Sequence, residues 1–586
     1  MTEGAPAAVQ GGFTVHPAVE VNSRARFEIL FAVMLGLFLA ALDQTIVGPV
    51  LPRIVTDLNG ADYYTWVVTA YLVTSTVTIP IYGKLSDLYG RKPLLMIGIV
   101  LFLIGSALSG LSQSMWQLIL FRAIQGLGAG ALFPISLAVI GDLFTPAERG
   151  KYQGLFGAVF GIAFLVGPFT GGFLTDNISW HWVFFVNLPI GFISLYFIGR
   201  LLPTIKRAGA TFNIDIPGVV TLTLALVPIL IALTLAETST WSDPWVLGWF
   251  AVGVIFLIGF VIAERRAGDP MIPLDLFRNR TFAVSMTATF FATFGFATAI
   301  IFLPLWFQVV QGASSTASGY DLMPFLFGLM GSSIVAGQII SRTGHYKRLI
   351  AVAMGTIAIG LALFTQLHAD TPTPILWVWM AIAGIGVGPM MAAFTLIVQN
   401  AVPFSRLGTA TSDLTLVRQV GTSVGLTIAF TLFRNNLTWG SLRGAIMGAA
   451  SGLPQQAQTQ LATQLAAPPP GFDLAQLTSV GGSQGSVLGP GLAQMPADIQ
   501  AVILTGFHDA FSTALANSMW IGVAAGLLAL VAALFLRELP LRAHHGPAPT
   551  DVPSVEAVGP AVAGIGPAVA AASPAVESVG PAVAAE

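Results

Sequence analysis

Long runs of apolar residues, separated by short polar breaks, recur along most of the chain. A helix needs about 20 apolar residues to cross a bilayer, and each run is close to or above that length. Helices are predicted rather than strands, because every backbone N–H and C=O must be paired within its own segment inside lipid. The predicted spans are residues 29–51, 64–82, 93–111, 115–140, 152–175, 181–201, 215–236, 245–263, 281–309, 319–341, 348–367, 374–399, 408–433 and 512–536.

The polar breaks carry an asymmetric distribution of basic residues. When the breaks are assigned alternately to the two sides of the membrane, all but five of the 25 Lys and Arg residues fall on one side. The exceptions are Arg53, Arg434 and Arg443 on the other side, and Arg122 and Arg418 within spans. Basic loops stay in the cytoplasm, so the pattern predicts fourteen spans with both termini cytoplasmic.

A weak internal repeat predicts how the spans are grouped. The break after span two reads GKLSDLYGRK and the break after span ten reads GQIISRTGHYK, with glycines seven positions apart in both. Repeats of this kind place transport sites at the midplane between two halves. The predicted organisation is a cytoplasmic N-terminal segment (1–28), an N-terminal six-helix half (29–201), two inserted helices (202–263), a C-terminal six-helix half (264–433 and 512–536), an extracytoplasmic loop (434–511) and a disordered cytoplasmic tail (537–586).

The last two segments are predicted from composition. Residues 434–511 are rich in Gly, Gln, Ala and Pro, and their short apolar run at 501–504 is interpreted as loop rather than as an interfacial helix. The tail repeats variants of VGPAV and has few large apolar residues, which is typical of disorder.

Overall composition indicates an integral membrane protein and excludes several function classes. Hydrophobic residues make up 55% of the chain and charged residues 9%, against about 25% charged in soluble domains. The absence of Cys excludes disulfides and thiolate metal sites, and no basic cluster indicates a nucleic-acid partner. The first 25 residues lack a signal-peptide pattern, so the first span is expected to direct insertion.

One acidic residue lies deep within the first apolar run. Asp43 is roughly 21 Å along the helix from Ile29 at a rise of about 1.5 Å per residue. An ionisable group at that depth normally faces a protein interior or a water-filled cavity and marks a substrate or ion path. The alternative is that Asp43 lies at a helix end and is solvated.

Span four, which includes LILFRAIQGLGAGAL, contains a charged residue of the opposite sign. Arg122 and Gln125 are three residues apart and share a helix face. An arginine inside a span pairs with an acid or with backbone carbonyls, and both roles stay open at this point.

The break GKLSDLYGRK is a short loop rich in glycine and charge. Gly83 and Gly90 permit close helix approach and positive φ angles. The loop resembles the signature between helices two and three of the major facilitator superfamily. That resemblance implies that Asp87 and Arg91 form a latch holding the cytoplasmic side closed, with Asp142 as a partner of Arg91. The alternative is an ordinary basic cytoplasmic loop.

The second copy of this loop departs from the family pattern. Ser341 stands in the position of the acid and His345 in the position of the arginine. A latch is therefore expected to be weaker or absent in the C-terminal half.

Span five resembles the signature of the exporter, or antiporter, branch of that superfamily. It reads GLFGAVFGIAFLVGPFTGGFL, with Ala163 where the pattern usually has Gly. Small-residue packing alone would also explain the glycines. The matching residues are Gly154, Gly167, Pro168, Gly171 and Gly172.

The run ALDQTIVGPVLP around Asp43, the run WHWVFFVNLPIG at Trp180–Gly191 and the count of fourteen spans together resemble the drug:proton antiporter family with 14 helices. His181 stands where Arg is usual. The resemblance implies a monomer in the bacterial inner (plasma) membrane that exports lipophilic or amphipathic small molecules by alternating access and uses no cofactor. It also implies that Asp43 and Arg122 couple export to protons.

Two other acidic residues have two interpretations each. Asp321 is predicted to begin span ten, where a solvated helix start is favoured over a site. Asp413 lies about five residues into span thirteen and is either functional or structural. It is five residues from Arg418, so the two side chains point to different helix faces and are not predicted to pair.

Other functions are less well supported by the sequence. Neither Gly-Lys pair is followed by Ser or Thr, so a phosphate-binding loop for ATP-driven transport is missing. The seven histidines lie in loops or tails, and no Ser/His or metal-binding cluster occurs within the spans, which disfavours a membrane-embedded enzyme. Export of a lipid or an endogenous metabolite on the same scaffold remains the main alternative to drug export.

Overall fold

The computed structural model describes residues 23–60, 63–203, 215–468 and 496–541. Within these ranges the regular secondary structure is helical, and fourteen helices are long and apolar enough to cross a membrane. They are numbered here in chain order. The spans are α1 (Arg24–Asp57), α2 (Tyr64–Tyr89), α3 (Arg91–Gly110), α4 (Met115–Leu143), α5 (Pro146–Asn177), α6 (Trp182–Leu201), α7 (Ile216–Glu237), α8 (Pro244–Arg266), α9 (Arg280–Val309), α10 (Met323–Thr343), α11 (Lys347–Phe364), α12 (Thr373–Ala401), α13 (Phe404–Asn436) and α14 (Ala497–Leu534).

The predicted count of fourteen spans is confirmed, but α14 begins much earlier than predicted. It starts after Pro496 and includes the run 501–504, so the interpretation of that run as loop is wrong. Ile503 and Phe507 are buried against the C-terminal core. A Cβ at Gly506 would lie 2.4 Å from Ile446 Cα, so α14 packs closely on a neighbouring helix there.

That neighbouring helix belongs to the segment predicted as an outer loop. Helix Trp439–Ala449 begins with a capping box in which Thr438 and Ser441 satisfy each other's backbone N–H groups. A second helix, Gln455–Gln464, follows. The described parts of 434–511 are therefore largely helical, and residues 469–495 lie outside the described residues.

The spans form two six-helix halves, α1–α6 and α9–α14, with α7 and α8 inserted between them in sequence. The largest apolar cluster lies in the C-terminal half, and separate clusters lie in the N-terminal half. Helices α7 and α8 pack mainly on each other. Helix α7 also contacts α2 and α13, where the two halves meet.

The halves approach most closely between α5 and α10. A Cβ at Gly337 would lie 2.2 Å from the carbonyl oxygen of Gly150, and one at Gly154 would lie 2.8 Å from that of Ser333. The hydroxyl of Ser333 also donates to the carbonyl of Gly154 at 3.0 Å. Only glycine leaves room for backbones at this separation, so these residues fix the contact between the halves.

The chain after α14 is held against the C-terminal half for a few residues. The backbone N–H of Tyr346 donates to Glu538 at 2.9 Å, and that of Leu539 donates to the Tyr346 hydroxyl at 2.6 Å. Burial raises the pKa of Tyr346 to about 12. The predicted disordered tail began at residue 537, but residues 537–541 are held in place, and residues 542–586 lie outside the described residues.

Candidate functional site: a buried carboxylate and a latch

Asp43 lies in the interior of the N-terminal half with no exposed surface. Its carboxylate accepts hydrogen bonds from Arg122 Nη1 at 2.7 Å, from Gln125 Nε2 at 2.7 Å and from Asn187 Nδ2 at 3.0 Å. The donors come from α4 and α6, so this carboxylate ties three helices together. The interpretation of Asp43 as a solvated helix end is wrong.

Arg122 is held in place by several groups besides Asp43. The same Nη1 donates to Gln125 Oε1 at 2.8 Å, and the guanidinium lies 4.2 Å from the ring centroid of Tyr71 on α2. The Phe184 ring centroid is 5.8 Å away. An arginine that stacks on an aromatic ring while pairing with a carboxylate is strongly oriented. Of the two roles left open for Arg122, pairing with an acid is the one observed.

Two polar residues of this network were missed by the sequence reasoning. Asn187 Nδ2 also donates to Ser106 Oγ on α3 at 3.0 Å, and Ser106 donates to the Phe184 carbonyl at 2.8 Å. Both side chains are fully buried. A signal was available, because Asn187 is the one amide within the apolar run WHWVFFVNLPIG.

The glycines of α5 position α1 immediately after Asp43. A Cβ at Gly167 would lie 2.1 Å from Thr45 Oγ1, and one at Gly171 would lie 2.6 Å from the Ile46 carbonyl. Thr45 donates to the Ala163 carbonyl at 2.9 Å. This part of the exporter motif therefore sets how close α1 comes to α5, beside the buried carboxylate.

The other motif residues on α5 face elsewhere. Gly154 contacts α10 in the other half, as described above. Pro168 lies inside the helix and faces Gly319, where an added Cβ would be 3.5 Å from Pro168 Cβ. Gly172 is half-buried.

Asp87, Arg91 and Asp142, which we call the latch, form one buried cluster. Arg91 Nη1 lies 2.6 Å from Asp87 Oδ1, and Arg91 Nε donates to Asp142 Oδ2 at 2.9 Å. Asp87 also accepts from the backbone N–H groups of Gly408 at 3.0 Å and Thr409 at 2.7 Å. Those N–H groups belong to the first α-helical turn of α13, which begins at Leu407 after the 3-10 turn Phe404–Arg406, and there the helix dipole favours an anion. The latch therefore joins the N-terminal half to the C-terminal half.

Two glycines shape the latch. Gly83 lies against α13, and a Cβ there would be 1.9 Å from Ser412 Oγ. Gly90 separates α2 from α3 and has φ 96°, in the region that favours glycine. The tight turn places Asp87 and Arg91 on the same side.

The corresponding loop of the C-terminal half contains no ion pair among its described residues. His345 forms a hydrogen bond within the loop, with Nδ1 2.7 Å from the Thr343 carbonyl oxygen. Ser341 is uncharged and cannot form an ion pair. Uncharged side chains also join the two halves. Gln153 Nε2 on α5 donates to Gln399 Oε1 on α12 at 2.9 Å, and Gln399 donates to the Leu137 carbonyl and to Thr411, both at 3.1 Å.

The remaining predicted residues are not hydrogen-bonded to either cluster. Arg418 Nη2 donates to Thr395 at 3.0 Å rather than to Asp413, so the prediction that these two do not pair fits the geometry. Asp413 is 2% exposed and is discussed below. Asp321 ends a short helix, Ser315–Asp321, instead of beginning α10, and partial burial raises its pKa.

Comparisons with known proteins agree on one family. The family model of the Major Facilitator Superfamily matches residues 33–426. Multidrug transporter protein MdtP of Bacillus subtilis is 39% identical over 401 residues, covering 68% of this chain and 74% of that protein. Multidrug resistance protein 3 of the same organism is 39% identical over 411 residues, covering 70% and 80% respectively.

Solved structures show a similar fold at low sequence identity. The structure of the proton:xylose symporter XylE matches with a TM-score of 0.55 at 14% identity, and the match covers 87% of this chain and 95% of that one. At this identity the likeness concerns the helical arrangement alone.

Proposed function

This chain belongs to the major facilitator superfamily, and from that membership we propose that it exports lipophilic or amphipathic small molecules in exchange for protons. The family makes it a membrane transporter rather than an enzyme. Relatives of 39% identity named as multidrug transport and resistance proteins favour drugs as the exported compounds. Export of a lipid or metabolite on the same scaffold is the alternative.

The observation that carries proton coupling is the environment of Asp43. Its carboxylate receives three N–H donors, one of them from a guanidinium, in a site without solvent exposure. Donors alone suit an ionised carboxylate, which only accepts hydrogen bonds. A proton arriving at Asp43 would cancel the charge that holds Arg122, so protonation would loosen the tie between α1 and α4.

An antiporter requires a conformational change of this kind that depends on protonation. A proton gradient drives a conformational cycle only if the two states differ in their affinity for protons. In this proposal, Asp43 is ionised while it pairs with Arg122, takes up a proton from outside, and releases it when the site faces the cytoplasm. The latch closes the cytoplasmic side during the outward-facing part of the cycle.

The test is export by the purified protein in reconstituted vesicles with an imposed proton gradient. Asp43→Asn keeps the size of the side chain but cannot bind and release a proton, so gradient-driven export is expected to be lost. Asp43→Glu keeps a titratable group and should retain part of the activity. Full gradient-driven export by Asp43→Asn would remove Asp43 from the mechanism.

The substrate class is tested separately by binding. Lipophilic drugs, lipids and metabolites would be screened for changes in the intrinsic fluorescence or thermal stability of the purified protein. Stabilisation by several unrelated lipophilic drugs supports multidrug export. Stabilisation by a single lipid or metabolite class would favour the alternative.

A further inference from the structure

Asp413 on α13 is a buried acid that the proposed mechanism does not use. Its side chain is 2% exposed, and neither carboxylate oxygen has a hydrogen-bond partner among the described residues. Asp43 is buried to a similar degree and yet accepts three hydrogen bonds. Burial alone therefore does not explain why Asp413 accepts none from the described residues. An ionised carboxylate without donors or a cation is very costly inside a protein.

The position of Asp413 follows from its neighbours on the helix. Thr409, one turn earlier on the same face, binds the latch acid Asp87. Leu416, three residues later, packs with Val77 and Ile79 of α2 and with apolar residues of α7 and α8. Residues three and four apart share a helix face, so Asp413 faces the junction of α2, α13 and the inserted pair.

Three charged groups act on Asp413 from the surrounding helices, and two of them, Asp87 and Lys84, are engaged with other partners. Asp87 is held by the first turn of α13 and by Arg91, and Lys84 on α2 pairs with Asp269. On α13 itself, Arg418 is directed to Thr395 on α12. No cation therefore neutralises Asp413 within the described part of the chain.

Glu264 at the end of α8 is the remaining neighbour and is also partly unpaired. Its Oε1 accepts from the backbone N–H groups of Met271 at 3.1 Å and Ile272 at 3.2 Å, while Oε2 has no partner among the described residues. Asp269, in the connection after α8, has a side chain that is 42% exposed. The titratable groups that act on Asp413 thus include Glu264 and Lys84, and Lys84 is paired with a residue in contact with solvent.

We propose that Asp413 is a second proton-binding site of this transporter, occupied while the latch is closed and emptied toward the cytoplasm when the latch opens. Opening separates Asp87 from Thr409, one turn from Asp413, and admits water to the junction. The O–H bond of the acid then breaks and its proton passes to water. The carboxylate left behind can pair with Lys84 once that ammonium leaves Asp269.

This proposal rests on proton-coupled export, but its first test does not. Infrared spectroscopy of the purified protein at neutral pH detects the C=O stretch of a protonated carboxylic acid. We expect such a band in the wild type, a weaker band in Asp413→Asn and an unchanged band in Asp57→Asn, which changes an exposed acid at the C-terminal end of α1. A band unchanged by Asp413→Asn would overturn the proposal, whatever the outcome for Asp43.

The second test counts protons in reconstituted vesicles. Asp413→Asn resembles the neutral acid in shape, so it should fold and bind substrate, yet import one proton fewer per substrate exported. An unchanged ratio would make Asp413 a structural acid and overturn the proposal. If Asp413→Asn does not fold, Asp413→Glu decides: a band shifted in frequency supports the assignment, and an unshifted band contradicts it.

Discussion

Two aspartates of this protein lie four residues along the chain from an arginine, in very different surroundings. Asp87 is 2.6 Å from Arg91 with both side chains below 10% exposed, and it also binds the first turn of α13. Asp57 is 3.3 Å from Arg53, and both side chains are exposed. Exposed pairs of this kind contribute about 0.3–0.5 kcal/mol, whereas loss of a helix-capping acid costs roughly 0.5–2 kcal/mol.

We therefore expect Asp87→Asn to weaken closure of the latch by about 1–2 kcal/mol, a factor of roughly 5–30 in the equilibrium between closed and open. Export in vesicles should slow, while substrate affinity, measured by fluorescence titration, should stay close to that of the wild type. Asp57→Asn is the matched control and should export normally. Wild-type export by Asp87→Asn would show that the latch does not control the cycle.

At the scale of residues, the sequence identified the charged residues of the Asp43 network but not all of their hydrogen-bonding and stacking partners. Asp43, Arg122 and Gln125 were recognisable because charged and amide groups inside apolar runs are costly unless they are paired. Asn187, Ser106 and Tyr71 also belong to the network, yet they lie on three other spans. Which spans meet is decided by tertiary packing, which the periodicity of a single span does not contain.

At the scale of helices, the apolar pattern predicted which segments form helices better than it predicted where those helices begin and end. Helix α14 extends to Ala497 because its first turns pack on helix Trp439–Ala449. Residues 434–511, which include this helix and the first turns of α14, are rich in small and polar residues. A hydropathy pattern assigns such a composition to loop. Contact with a neighbouring helix outweighed composition, and the prediction failed there for that reason.

Helix α10 contains two glycines that test the contact between halves. A Cβ at Gly337 would lie 2.2 Å from the Gly150 carbonyl oxygen, whereas one at Gly331 would have nothing within 4 Å. Gly337→Ala is expected to force α5 and α10 apart, at a cost of about 1–3 kcal/mol for overpacking. Gly331→Ala should be neutral or stabilise the helix by roughly 0.5–1 kcal/mol. The measurements are the thermal unfolding midpoint in detergent and export in vesicles.

Both substitutions make the same chemical change in the same helix, so a difference between them reports on the contact alone. Gly337→Ala should lower the midpoint and reduce export, and Gly331→Ala should do neither. Equal stability and equal export for the two variants would contradict the assignment of α5 and α10 as the tight contact between halves.

At the scale of the whole molecule, the grouping of helices agrees with the internal repeat. The inserted pair α7–α8 packs on itself and on the junction of α2 and α13, consistent with an addition to two six-helix halves. Helix α14 has 38 residues, or about 57 Å at 1.5 Å per residue, against about 30 Å for the hydrocarbon core. Its early turns and helix Trp439–Ala449 must therefore extend beyond the membrane on one side.

The distribution of basic residues predicts on which side of the membrane helix Trp439–Ala449 lies. Almost all Lys and Arg outside the spans lie in breaks on the side of the latch, and basic loops are retained in the cytoplasm. A compartment-specific reporter fused after Gly491 is thus expected to read extracytoplasmic, and one fused after Arg207 or Arg542 cytoplasmic. With fourteen spans, both termini must lie on the same side as Arg207. A cytoplasmic signal from Gly491 would mean that a span had been miscounted between Arg207 and Gly491. It would also put helix Trp439–Ala449 on the side of the latch, where the proposed release of protons from Asp413 takes place.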